Sequence, residues 1–233
     1  MKPGRILRLP WFAALAVGSA FITKASLAYF NDEEYAPFLL EKLDLPVPDP
    51  ARYEWVLKVH VVAAAFVLPA CLLLMSRFVQ RRAPRFHRWL GRVTGVATLL
   101  ALVPSGAYMS RYATGGMPST LGFLTSGAII AVATVQGVRT ARARAFVAHR
   151  RWMLHVLAQM AVAVVSRAML IASDAAGVDP IRGYIACLWL PVVGGALFVE
   201  LLTGSLAFSR RNHHASLARR SRARRLEPGL GRS

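Results

Sequence analysis

A histidine stands beside arginines and a tryptophan in two similar strings, RFHRWLGR at residues 85–92 and HRRWML at residues 149–154. Each string comes just before a long apolar run. Tryptophan and arginine at such boundaries are typical of a membrane interface, where they anchor helix ends. Anchoring a helix end at the interface does not require a histidine side chain. His87 and His149 are therefore candidates for chemistry, and imidazole is a common axial ligand of haem iron.

A b-type haem with two histidine ligands needs both imidazoles at one depth, on helices that face each other. His87 and His149 meet this requirement, since each begins an apolar run on the same side of the predicted bundle. His155 is an alternative partner for His87 and lies roughly 9 Å deeper in the helix of His149. We therefore predict His87, His149 and His155 as candidate cofactor-binding residues, with haem b as the candidate cofactor, whose identity the sequence leaves open. The structural alternative is that these imidazoles bind backbone carbonyls at helix ends.

A second group of titratable side chains falls at a common depth near the other side of the predicted bundle. Its members are His60, Lys24 and Arg167, each about six residues from the end of an apolar run. A charged group at that depth costs ~2.5–3.5 kcal/mol on insertion scales. One interpretation is a site for an anionic small molecule or a carbonyl-bearing ligand such as a quinone. The other is an ion-pair network with nearby acids, namely Asp32, Glu33, Glu34 and Glu54.

Other chemistry-bearing residues are few. Glu200 lies inside the last apolar run, and buried carboxylates in membranes are functional candidates, so we predict it as a proton relay. Cys71 and Cys187 fall at different depths and show no metal-ligand spacing, which predicts neither a disulfide nor a metal site. The chain has no GxSxG, HExxH or P-loop motif. Whether it is an enzyme stays open.

The elements that must position these residues are predicted to be transmembrane helices. Hydrophobic residues make up 55% of the 233-residue chain, and the mean hydropathy is +0.43. Crossing a bilayer takes ~20 predominantly apolar residues per helix. Six runs meet this length: 11–30, 54–75, 88–110, 119–138, 149–173 and 183–208. We therefore predict an all-α integral membrane bundle of six transmembrane helices over residues 1–208.

The net charge of +18 is unevenly distributed and predicts how the chain is threaded. Arginines fill the second and fourth connections between the apolar runs and also the C-terminal segment, whereas acids concentrate in the first connection. Because Lys/Arg-rich short loops stay in the cytoplasm, we predict that both termini are cytoplasmic, in a bacterial inner membrane. The arginines are expected to contact anionic lipid headgroups, and this distribution argues against a nucleic-acid partner.

Both ends of the chain carry further expectations. Residues 209–233 are predicted to form a basic, disordered cytoplasmic tail. The N-terminal run imitates a signal peptide, but it continues past Lys24 and lacks a small-residue cleavage pattern. We expect this first helix to be retained.

On a helical wheel with ~100° per residue, the run at 149–173 carries polar residues on two faces. One stripe holds His149, Met153, Met160 and Arg167, and the other holds His155, Gln159 and Ser166. This pattern predicts a central helix, with the second and third helices beside it. Gly91 and Gly95 form a small-xxx-small pair, which suits packing within the chain or in a homodimer.

The order of these motifs resembles a known family. A histidine in KVHVVAAAFVLPA, then HRWLGR, then HRRWM and an arginine in SRAML are similar to the bacterial membrane proteins catalogued as domain of unknown function 2306. The resemblance covers about residues 53–172. By position it marks His60, His87, Arg88, Gly91, Arg92, His149, Trp152, Met153 and Arg167. It implies a multi-pass membrane protein and no particular activity.

Three functions remain open from the sequence. The first is a b-type haem or quinone-linked redox protein built around the two histidine strings. The second is a non-redox membrane protein that binds or transports an anionic or lipid-soluble ligand through His60, Lys24 and Arg167. The third is a structural or assembly protein of the membrane.

Overall fold

The structure is a computed structural model that describes residues 8–30 and 47–226. These two ranges contain helices and no strand. The helices are α1 (Arg8–Ser26, continued by a 3-10 turn at Leu27–Phe30), α2 (Pro50–Met75), α3 (Arg77–Arg82), α4 (Pro84–Ser110), α5 (Met117–Arg142), α6 (Phe146–Ala175) and α7 (Pro180–Leu226). The prediction of an all-α fold is confirmed.

Among the described helices, five are long and apolar enough to cross a membrane: α2, α4, α5, α6 and the Pro180–Gly204 part of α7. The apolar part of α1, Phe12–Ser26, is shorter. Each predicted apolar run therefore corresponds to one helix, and the chain is an all-α membrane protein. The helices extend past the apolar runs at several ends, because polar and arginine residues continue the helix into the headgroup region.

The chain divides into two compact units, residues 1–196 and residues 197–233. The first unit contains α1 to α6 and the first part of α7. In the second unit α7 continues to Leu226, through much of the segment that the sequence predicts to be a disordered tail. Residues 227–233 lie outside the described residues, as do Asp32, Glu33 and Glu34.

Two membrane helices begin with the same local signal, Asp-Pro-x-Arg. The Asp49 carboxylate accepts the backbone N–H of Arg52 at 3.0 Å before α2, and Asp179 accepts that of Arg182 at 2.9 Å before α7. The aspartate satisfies an N–H group that has no partner within the helix, and proline suits the first helical position because it has no N–H to lose. This signal fixes where the spans begin at the end opposite the arginine-rich connections.

The core of the first unit lies where α2, α4, α5 and α6 meet. Its buried residues are Ala63, Val67, Leu68, Cys71, Leu102, Ile130, Ala133, Val156, Leu157 and Met160. α6 buries residues on both predicted polar stripes, including Met160 on one and His155 and Gln159 on the other. Its main neighbour is α5, with α1 and α2 also in contact. The expected neighbour α2 is therefore present, whereas α5 rather than α4 packs most closely along α6.

The glycine pair on α4 packs inside the chain. A Cβ placed on Gly91 would meet the Leu74 side chain of α2 at 3.9 Å, and one on Gly95 would meet the Thr134 methyl of α5 at 3.9 Å. These are ordinary contact distances, so the two small residues line α4 where it faces α2 and α5. The pair is thereby accounted for without a second copy of the chain.

Candidate functional site

His149 lies one turn into α6 and is held by a backbone carbonyl of α5. Its Nδ1 lies 2.8 Å from the carbonyl oxygen of Gly137. A carbonyl oxygen only accepts hydrogen bonds, so Nδ1 carries the proton and donates. In the neutral imidazole the other nitrogen, Nε2, then keeps its lone pair for a ligand.

Gly137 brings α5 close enough for that hydrogen bond. It is buried, and a Cβ on it would overlap the terminal methyl of Met153 and stand 3.7 Å from the Cβ of Trp152. Without a side chain, the α5 backbone lies directly against α6 at this level. Gly137 follows Gly127 at a spacing that forms no recognisable motif, so only the packing reveals its role.

The turn between α5 and α6 sets the position of His149. Ala145 N–H donates to the Thr140 carbonyl at 2.9 Å, and Arg144 N–H donates to the Ala141 carbonyl at 3.1 Å. Arg144 takes the left-handed conformation, with φ of 57°. This pair of bonds closes the end of α5, as is common at helix C-termini. α6 then restarts within three residues and presents His149 back towards α5.

His87 lies in the first turn of α4 and reaches the same end of the bundle. We call this end, formed by α3, the first turns of α4 and the α5–α6 turn, the basic end. The imidazole of His87 lies within electrostatic range of that of His149. Its Nδ1 is buried, with no hydrogen-bond partner among the described residues. The two histidines of the opening strings thus lie at the same end of the bundle, and their joint binding of a cofactor stays a prediction.

His155 lies apart from this pair in direction as well as depth. Six residues along α6 turn it by about 120° away from His149. It is buried, and its ring centroid is 5.9 Å from that of Trp152. One turn further, Gln159 accepts the Ser126 hydroxyl at 2.9 Å and donates to the Val192 carbonyl at 2.9 Å. The polar stripe of His155 thus ties α5, α6 and α7 together.

At the opposite end, His60 is fixed by α4. Its Nδ1 lies 3.0 Å from the Ser105 hydroxyl oxygen. That hydroxyl lies 2.6 Å from the Ala101 carbonyl and 3.1 Å from the Leu102 carbonyl. When it donates its single proton to one of these carbonyls, His60 Nδ1 donates to the serine oxygen. A Cβ on Gly106 would come within 3.2 Å of the imidazole. The ring of His60 therefore packs against α4 at Gly106, next to its hydrogen-bond partner Ser105.

Arg167 lies near enough to His60 to act on it electrostatically, and it acts on Tyr29 in the same way. The arginine is exposed, and its guanidinium donates to the Ala163 carbonyl at 2.9 Å. Tyr29 was not predicted, because it follows the end of α1 in a segment without a motif. Of the three predicted ligand-binding residues, His60 and Arg167 lie within electrostatic range of each other, and their role in binding a ligand stays a prediction.

The other cations of this cluster differ in their surroundings. Lys24 is exposed in the last turn of α1. Lys58, a further cation near this end of α2, pairs with Glu54 one turn away at 2.8 Å. An open apolar groove of about 530 Å³ runs along α2 and α4 beside it, lined by Phe30, Trp55, Lys58, Val59, Val62, Ala63, Phe66, Ala97 and Ala101.

A family model described as a predicted membrane protein, DUF2306, matches residues 57–203. This chain belongs to that family. No curated protein matches it, and no solved structure matches it. The match to DUF2306 extends beyond the predicted 53–172 into α7. It includes both histidine strings and Arg167, whereas Lys24 and Tyr29 lie outside it.

Within this DUF2306 chain, Glu200 lies on α7 in the unit formed by residues 197–233, with an exposed side chain. Its assignment as a proton relay stays a prediction. The described residues contain no group of three or more His, Cys, Asp or Glu side chains that could hold a metal ion. Both cysteines are free and buried.

Proposed function

We propose that this membrane protein is a redox protein that holds a b-type haem at the basic end, with His87 and His149 as axial ligands. The observation that supports it is that the two imidazoles, at the starts of α4 and α6, lie at the same end of the bundle and within electrostatic range of each other. Haem iron accepts paired histidines, and the haem would supply one-electron chemistry. The protein's part is to hold and orient the two rings.

The hydrogen bond of His149 fits an axial ligand. Ligating histidines usually donate their second ring N–H to a carbonyl, a carboxylate or water, which fixes ring orientation. His149 does so through Gly137, and its Nε2 is the nitrogen left for iron. His155 is less suited, because it points about 120° away from His149 around α6. These features favour His149 over His155 as the partner of His87.

The arginine pattern gives the proposed orientation. The basic end would face the cytoplasm of a bacterium, with both termini on that side and the bundle in the inner membrane. Arg88, Trp89 and Arg92 are exposed on α4 there, which suits contact with anionic headgroups and the interface. The haem would accordingly lie near the cytoplasmic surface, within reach of a soluble electron donor.

An absorption spectrum of the detergent-purified protein from haem-sufficient cells, oxidised and then reduced with dithionite, tests this function. We expect the reduced bands of six-coordinate b haem and a positive pyridine-haemochrome assay. His87→Ala and His149→Ala should each abolish the six-coordinate spectrum, whereas His213→Ala, in the C-terminal segment, should keep it. A colourless wild-type protein would overturn the proposal.

A second candidate function is specifically favoured by the arrangement at the opposite end. His60 is held by Ser105, and the charge of Arg167 acts on both His60 and Tyr29. With Lys24 nearby in depth, these groups would bind an anionic small molecule or the carbonyl of a quinone. The neighbouring apolar groove would suit a lipid-soluble tail. If this function is right, substitution of Arg167 should abolish or weaken ligand binding.

A further inference from the structure

Two buried threonines, one on α4 and one on α5, differ from the other threonines of these helices. Thr94 on α4 is 5% exposed, and Thr134 on α5 is 4% exposed. They lie at one level, because Gly95, next to Thr94, packs against the methyl group of Thr134. Neither hydroxyl has a hydrogen-bond partner in the described part of the protein.

Other threonines of the same helices behave differently. Thr98 donates to the Thr94 carbonyl at 2.7 Å, and Thr140 donates to the Gln136 carbonyl at 2.7 Å. A threonine in a membrane helix commonly satisfies itself this way, by bonding to the carbonyl one turn earlier. Thr94 and Thr134 forgo that local bond. Their hydroxyls are therefore available to a partner between the helices.

A third buried atom without a partner lies on the same face of α4. This atom is Nδ1 of His87, which lies seven residues, or two helical turns, before Thr94. In the described residues the only other such atom is the Ser119 hydroxyl, near the opposite end. Three of these four atoms thus lie in the half of the bundle next to the basic end. Buried polar groups of this kind are normally satisfied by ordered water.

We propose that α4 and α5 enclose a site for ordered water, which reaches from His87 inward to Thr94 and Thr134. The ligand class is water, bound as a short hydrogen-bonded chain, since roughly 10 Å separates the levels of His87 and Thr94. The water nearest His87 accepts or donates at Nδ1 and so fixes the ring. This site stands on the threonine geometry and does not depend on whether the histidines bind haem.

Solid-state NMR of the full protein in lipid bilayers, with labelled threonine, tests the site through magnetisation transfer from water. We expect fast transfer to Thr94 and Thr134 and slow transfer to Thr98, which is buried at 1% exposure and bonded to its own helix. Thr94→Val should slow the transfer to Thr134 severalfold, whereas Thr94→Ser should restore it. Transfer to Thr94 and Thr134 as slow as to Thr98 would overturn the proposal.

Thermal unfolding gives an independent readout on the same variants. If water bridges the hydroxyls, Thr94→Val and Thr134→Val each leave that water short of a partner, so the Tm should fall. If no water lies between the two hydroxyls, the Tm should rise instead, because valine would remove a buried hydroxyl that has no partner. A rise in Tm in both variants would therefore also overturn the water site. The haem spectrum is recorded separately, so failure of one proposal does not imply failure of the other.

Discussion

At the residue scale, single hydrogen bonds decide which nitrogen of each histidine is available. His149 donates Nδ1–H to the Gly137 carbonyl, so in the neutral state it offers Nε2 as an acceptor or ligand atom. His60 Nδ1 bonds to the Ser105 hydroxyl, which can accept or donate, so its tautomer is set by where the serine proton goes. The two histidines also have different neighbours: a second histidine at the basic end and an arginine at the opposite end.

Arg167→Gln tests the second candidate function at this scale. Removing a charged hydrogen-bond donor from a ligand carbonyl or anion should raise the Kd for a short-chain ubiquinone about tenfold or more. Quenching of tryptophan fluorescence by the quinone would measure it in detergent. Arg92→Gln is the matched control, since it removes an exposed arginine from the basic end. Equal Kd values in the two variants would contradict a ligand site at Arg167.

At the scale of elements, the α5–α6 turn shows strain that the sequence does not require. Arg144 takes a φ of 57°, a conformation that glycine adopts without steric cost. Its position directly after the end of α5 is the one where glycine is usually found. The turn nonetheless places His149 beside Gly137, so its geometry matters to the candidate site.

We expect Arg144→Gly to stabilise the protein by about 0.5–1 kcal/mol, because the relief of left-handed strain exceeds the entropy lost by glycine. Arg142→Gly removes the same charge from the last turn of α5, where glycine costs about 1 kcal/mol. Chemical unfolding in detergent should show the first variant more stable than wild type and the second less stable. A loss of stability in both would show that the arginine at 144 contributes more than its backbone strain costs.

At the scale of the whole molecule, the separation of charge predicts its orientation in the membrane. The arginine-rich connections at one end and the Asp-Pro helix starts at the other make the two faces of the bundle chemically distinct. Positive loops are retained in the cytoplasm during insertion. The position of the proposed haem, near one face rather than mid-membrane, follows from this asymmetry.

Single cysteines introduced at Ala143 and Ala176 would establish this orientation. Both positions are exposed, at opposite ends of the bundle, and the two native cysteines are buried. An impermeant maleimide applied to intact bacterial cells with a permeable outer membrane should label Ala176→Cys. It should label Ala143→Cys only after the inner membrane is disrupted. The reverse pattern would contradict cytoplasmic termini.

Much of the fold could be predicted from the sequence, because the bilayer simplifies the problem. Lipid offers no hydrogen bonds to the backbone, so an apolar run of ~20 residues has little choice but to form a helix. This is why each of the six predicted runs corresponds to a helix. Depth alone also predicts that His87 and His149 lie at the same end of the bundle, since both stand near helix starts. That they bind one cofactor together stays a prediction.

What only the tertiary structure decided is how the helices are rotated and which neighbour each one faces. Gly137 and Ser105 hold the two histidines, yet neither lies in a motif, because a carbonyl or hydroxyl becomes a partner only through packing. The same holds for Tyr29, which lies within electrostatic range of Arg167 although the two are far apart in the chain, and for Gly95 of α4, which packs against the Thr134 methyl of α5. Apolar patterning sets the depth of a residue in the membrane. Close contacts between helices set its direction, and they arise from side chains far apart in sequence.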